Sequence, residues 1–177
     1  MQELWVFGYG SLMWRPNFKL DEALPAVVMG VHRSLCVYSF DHRGTPEKPG
    51  LVLGLDRGGA CRGMAFRVVK GNEDATIAYL REREQITDVY REACRPVSLL
   101  DDSQREVSAL CYLTDRSHRQ YAGHLSIEEQ LGLVQVAHGQ SGTNIDYVLN
   151  TVRHLKEGGI YDASLMVLAA RLEAGHN

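Results

Sequence analysis

Strand-like patterns crowd the first two-thirds of this 177-residue chain, and helical patterns fill the last third. That order constrains the fold more than any single motif. A doubly wound sheet needs strands and helices in alternation, so the segregation favours an α+β fold. Many short strands close most readily into a small mixed or antiparallel β-barrel, which leaves the helices peripheral. The length fits one domain, residues 1–177, and 45% hydrophobic content is enough for a full core.

The segments follow from period and punctuation. Leu4 to Phe7 is a short apolar run that reads as a buried strand. Residues 26–40, AVVMGVHRSLCVYSF, read as one bent or two short strands with Gly30 at the break. LVLGLD (51–56) and CRGMAFRVV (61–69) read as a hairpin joined through Gly58-Gly59. A helix is predicted over 72–85, with Asn72 as N-cap and Glu73 and Asp74 in its first turn. Strands follow at 97–100 and 106–114. Ser126 and Glu129 form a capping box for a helix that Gly139 should end. Two further helices, near 144–157 and 162–174, are parted by Gly158-Gly159.

Where the first strand ends, Gly8-Tyr9-Gly10-Ser11 makes a candidate binding loop. Two glycines permit backbone geometry that other residues resist, and converging N–H groups can hold an anion or a polarised carbonyl. The dinucleotide fingerprint would need glycine at position 13, which is Met13, and Pro16 follows. No Gly-Lys-Ser/Thr marks a phosphate loop. The simple alternative is a tight turn between core strands, but Tyr9, Ser11 and Trp14 are more than a turn requires.

Net charge is −3 without a run of Lys or Arg, which argues against nucleic acid and anionic membrane surfaces as partners. No signal peptide and no apolar stretch near the ~20 residues of a membrane span is present. Cys36, Cys61, Cys94 and Cys111 form no C-x-x-C pair and read as reduced core residues of a cytoplasmic protein. The seven histidines show no zinc spacing, so no metal or other cofactor is expected.

The strongest chemical signal lies on the helix at 72–85. At ~100° per residue, Glu84 falls on the same stripe as Ile77 and Leu80, while Glu82 points away. A carboxylate on a core-facing stripe is costly unless it is paired, hydrogen-bonded or lines a cavity, and burial raises its pKa toward that of a useful general base. Pairing with Arg81 or Arg83 at a helix end explains the same pattern, and Glu82 and Arg83 read as a solvated face. Further on, Asp41-His42-Arg43 opens a polar loop stiffened by two prolines, in which Arg43 can hold a carboxylate bidentately or order the loop through Asp41. In GQSGTNIDY (139–147), Ser141, Thr143 or Asn144 can cap the next helix, while Asn144 or Tyr147 can instead project into a pocket.

Together VFGYGSLMW, DHRGTPEKPG, AYLREREQ and GQSGTNIDY resemble, in order and separation, the ChaC-like branch of the γ-glutamylcyclotransferases, across about residues 4–172. The resemblance implies that family's barrel fold with peripheral helices, and a cofactor-free enzyme that splits glutathione into 5-oxoproline and cysteinylglycine. Residue by residue it implies Glu84 as catalytic base and Val6, Phe7, Gly8, Tyr9, Gly10, Ser11 and Leu12 as substrate loop. Arg43 is the candidate for the substrate's glycine carboxylate, and Tyr147 is a further candidate contact. Two departures stand out. Thr143 occupies a position where many relatives carry Arg, and Gln85-Ile86-Thr87 replaces a glycine-containing turn. The rival readings are a cyclotransferase for other γ-glutamyl compounds and a non-catalytic regulator of cation transport; the sequence leaves the oligomeric state open.

Overall fold

Five strands close into a barrel in the order β1-β3-β2-β4-β5 in a computed structural model that describes residues 3–84 and 87–175. They are β1 (Trp5–Gly8), β2 (Leu20–Ser39), β3 (Gly50–Val68), β4 (Tyr90–Leu99) and β5 (Glu106–Thr114). β1 runs antiparallel to β3, with Phe7 opposite Ala65, and parallel to β5, with Val6 opposite Leu110. β4 is antiparallel to β2 at Val28–Val97 and to β5 from Tyr90–Thr114 to Ser98–Glu106. The barrel is therefore mixed, as expected of an α+β chain. The helices are α1 (Glu73–Glu84), α2 (Ile127–Val134), α3 (Asn144–Glu157) and α4 (Ala163–Ala174), and a two-stranded ladder joins β6 (His138–Gly139) to β7 (Gly142–Thr143).

The chain divides into two compact units. The first takes the residues up to Ser34 with Gly54–His118. Its core packs Val6, Leu12, Val68, Leu110 and Tyr112 with Leu80 of α1. Leu80 is fully buried, a burial that stabilises by roughly 1.5–3 kcal/mol. The second unit takes Leu35–Leu53 with the chain from Arg119 onward, and here α4 packs on both α2 and α3.

Several boundaries differ from the sequence reading. Gly50–Val68 is one strand, not a hairpin. Gly58 and Gly59 adopt φ of 105° and 73°, and Gly30 of β2 adopts 84°. Here left-handed glycines bend strands that go on pairing, because the barrel wall must curve. His32 Nδ1 lies 2.9 Å from the Gly58 carbonyl, which ties the bend together. β4 begins seven residues before the predicted start at 97. Its polar outer face hides the period, yet β5 supplies a full ladder of partners. The Ser126–Glu129 capping box forms with both of its hydrogen bonds, but α2 ends at Val134 with Gln135 as C-cap. Gly139 instead lies in β6, where a Cβ would collide with the main chain of Asp41 and His42. His138 is likewise strand, not helix. Cys36, Cys61 and Cys111 are buried free thiols as expected, and burial pushes the Cys111 thiol up to about 12. Cys94 is free and exposed on the outer face of β4, because the strand's alternation turns it outward.

Candidate active site

The loop after β1 is shaped by what cannot be there. A Cβ on Gly63 would strike the Gly8 carbonyl oxygen and the Phe7 ring, so glycine on β3 lets the loop leave the barrel at that angle. Beyond Gly10 the chain makes one 3-10 turn, Ser11–Met13, closed by Met13 N–H donating to the Gly10 carbonyl at 2.9 Å. Ser11 and Leu12 N–H precede that first bond and have no partner inside the turn. Val6, Phe7, Tyr9 and Leu12 bury their side chains and Gly8 and Gly10 are buried with them, so Ser11 is the one exposed residue of this stretch.

Two arginines hold the loop. Arg33, 9% exposed on the inward face of β2, donates Nε–H to the Tyr9 carbonyl and Nη2–H to the Arg62 carbonyl, both at 2.6 Å. Because a trans peptide sets C=O and N–H in opposite directions, this bond turns the Gly10 N–H away from Arg33. Arg83 of α1 donates to the Arg15 carbonyl at 2.6 Å, to the Tyr79 hydroxyl at 2.7 Å and to Ser11 Oγ at 2.8 Å. Arg83 is thus a strap between helix and loop rather than a member of a solvated face. The sequence offers Arg83 as a partner for Glu84, and the pair forms at 3.4 Å, but it does not announce the hold on the loop, nor does it single out Arg33. The period-2 run Val31, Arg33, Leu35, Val37 carries the signal for the latter, since it places a guanidinium among buried neighbours.

Glu84 ends α1 one turn beyond Leu80 and two beyond Thr76, both buried, so it lies on the core stripe as the helical period requires. Its side chain is 17% exposed, whereas Glu82 faces solvent. Burial raises the Glu84 pKa above the usual carboxylate range, against an opposing pull from Arg83, whose Nε lies 3.4 Å from Oε1. The Tyr112 pKa is raised as well, first by burial and then by Glu92, with a smaller push from Glu84. Its hydroxyl donates to Glu92 Oε2 at 3.1 Å, and Glu92 also takes a two-bond fork from Arg81 at 2.8 and 2.9 Å. Residues 85 and 86, the first two of the departing turn, lie outside the described residues.

Arg43 and Tyr147 belong to the second unit. The Arg43 guanidinium lies 5.5 Å over the Tyr147 ring and donates to the Thr143 carbonyl at 3.2 Å. Among the described residues no carboxylate pairs with Arg43, so Asp41 does not neutralise it. Thr143 caps α3 by accepting from Asp146 N–H. Asn144, with no exposure, accepts from Leu51 N–H and donates to the Leu51 carbonyl, both at 2.8 Å, completing a strand edge. The Tyr147 hydroxyl accepts from Leu53 N–H at 2.9 Å. No group of three His, Cys, Asp or Glu among the described residues is placed to hold a metal ion.

A family model described as ChaC-like protein matches residues 4–174. Glutathione-specific gamma-glutamylcyclotransferase of Escherichia coli K12 is 32% identical over 162 residues, covering 92% of this chain and 69% of that protein. Gamma-glutamylcyclotransferase 2-3 of Arabidopsis thaliana is 32% identical over 173 residues, covering 94% and 86%. Among solved structures, a gamma-glutamyl cyclotransferase specific to glutathione from yeast superposes with a TM-score of 0.86 at 21% identity, covering 98% of this chain and 97% of that one. That likeness establishes the fold.

Proposed function

This chain belongs to the ChaC-like protein family, and on that premise we propose that it is a glutathione-specific γ-glutamylcyclotransferase, residues 1–177 acting as one catalytic domain. The observation that carries the reading is Glu84, a carboxylate held on the core stripe of α1, whose neighbour Arg83 both pairs with it and straps the helix to Ser11. A surface ion pair needs no such placement; a general base does.

The reaction is an intramolecular aminolysis. The free α-amine of the γ-glutamyl group attacks its own γ-carbonyl, a C–N bond closes the five-membered ring, and the amide bond to cysteine breaks. Glu84 takes a proton from the α-ammonium before attack and passes it to the departing nitrogen, then takes the second proton that the attacking nitrogen sheds as the ring closes; that proton leaves with the released amine, so one carboxylate carries both in turn. N–H groups of the Tyr9–Leu12 loop stabilise the oxyanion that develops on the γ-carbonyl. Because nucleophile and electrophile share one substrate, most of the enzyme's task is to fold and hold it. Arg43 is the proposed holder of the glycine carboxylate, supported by its lack of a carboxylate partner and its stack on Tyr147. A cytoplasmic setting is consistent with four free thiols.

The test is 5-oxoproline release from reduced glutathione by the purified protein, with Glu84→Gln in parallel. Release by the wild type and its loss in the variant are expected. No release from glutathione, with release from γ-glutamyl amino acids, would move the substrate class. No release from either would replace the catalytic reading with that of a binding protein.

A further inference from the structure

A cavity of about 540 Å³ opens within the first unit between β2, β3, β4 and the end of β5, and neither Glu84 nor any residue from Val6 to Leu12 lines it. Its carboxylates are already satisfied. Asp56 takes Arg116 Nε at 2.7 Å and Arg57 N–H at 2.8 Å. Asp115 takes the Ser117 hydroxyl and N–H, and then Arg91. Glu92 is held by Arg81 and Tyr112.

Its arginines are not all satisfied. Arg57 and Arg95 line the same cavity, and neither has a carboxylate partner among the described residues. Arg95 Nε is buried with no hydrogen-bond partner at all. That Nε is closed off from the cavity, so the groups Arg95 can offer an occupant are its two Nη nitrogens, which make no hydrogen bond among the described residues. Arg67 Nε is also unbonded, but that guanidinium is held by Glu3 at 3.1 Å and Glu22 at 2.8 Å, so its charge is met. Room for the Arg95 head is made by Gly30, where a Cβ would press to 3.2 Å from Nη2.

We propose that this cavity binds a small metabolite through an oxyanion, a carboxylate or a phosphate, with the two Nη groups of Arg95 donating the fork and Arg57 closing on it from the solvent side. A guanidinium edge matches either anion with two parallel N–H bonds. The volume exceeds that of the anion alone, so the occupant carries a body beyond its charged group. The paired carboxylates around the rim disfavour a polyanion.

Titrating the isotope-labelled full chain with inorganic phosphate and, separately, with malonate, at matched ionic strength, tests this by amide shifts. Saturable shifts centred on Gly30, Ala93 and Arg95 are expected, with affinity reduced about tenfold or more in Arg95→Met and in Arg57→Gln. A response to phosphate alone assigns a phosphate ester, and one to malonate alone assigns a carboxylate. Absence of saturable shifts with both probes, or affinity unchanged in Arg95→Met, overturns the proposal. If Arg95→Met does not fold, the exposed Arg57→Gln decides it, and undiminished affinity there overturns it equally. 5-Oxoproline release by both variants, expected at the wild-type rate, confirms that the protein under test is folded.

Discussion

Glu84 sets two opposing demands on one side chain. As the proposed base it must be ionised at working pH, and as a largely buried carboxylate its ionisation costs folding free energy. Glu84→Gln should therefore lower kcat for 5-oxoproline release by roughly 10²–10⁴-fold, measured on glutathione at saturation. The same variant should be more stable than the wild type at pH 7. The sign follows from the raised folded pKa: below the unfolded value of about 4.3 both states are protonated and no penalty exists, and above the folded value the ionised form is penalised only in the native state. Melting temperatures of wild type and variant should converge as pH falls toward 4 and part toward 7; parallel curves would contradict the burial argument. In the wild type, kcat/KM should rise with pH through a midpoint above about 4.3, the ordinary Glu value.

Whole elements here are pinned by single polar side chains. The polar contact of α1 with the Gly8–Leu12 loop, beside the packing of Leu80 with Leu12, comes from Arg83, which spans Arg15, Tyr79 and Ser11. Arg83→Met keeps the apolar stem and removes those bonds; it should lower kcat/KM for glutathione while far-UV circular dichroism stays unchanged. In the second unit, Asn144 satisfies both main-chain groups of Leu51. Asn144→Ala leaves two buried groups unpaired, and at about 1–3 kcal/mol each the loss should show as a markedly lower urea midpoint. Ser126→Ala removes only an exposed cap from α2, worth about 1 kcal/mol, so the two substitutions should separate clearly in one denaturation series.

For the molecule as a whole, the question is how a substrate with two carboxylates is recognised. If Arg43 takes the glycine carboxylate, Arg43→Gln should raise KM for glutathione and leave γ-glutamyl amino acids, which lack that glycine, unaffected. Equal loss on both substrates would remove Arg43 from that role. Ring closure by the substrate's own amine needs no bound electrophile, so a metal chelator should leave the rate of 5-oxoproline release unchanged. Among the described residues no helix is long and apolar enough to cross a membrane.

Sequence by itself determined the α+β class, most element positions, and the placing of Glu84 on the buried stripe. Each of these depends on a local period, of 3.6 or 2 residues, that a hydrophobic pattern records. Helices α3 and α4 and strand β5 were legible for that reason, as was the Ser126 cap, which is closed within four residues. Tertiary structure alone decided the rest. Gly58-Gly59 bends one strand because the barrel must curve, although the same dipeptide turns a hairpin elsewhere. β4 exists over its full length because β5 pairs with it. Arg33 and Arg83 became loop clamps through carbonyls and hydroxyls up to 72 residues distant in sequence. Such partners are chosen by three-dimensional closeness, which no period along the chain encodes.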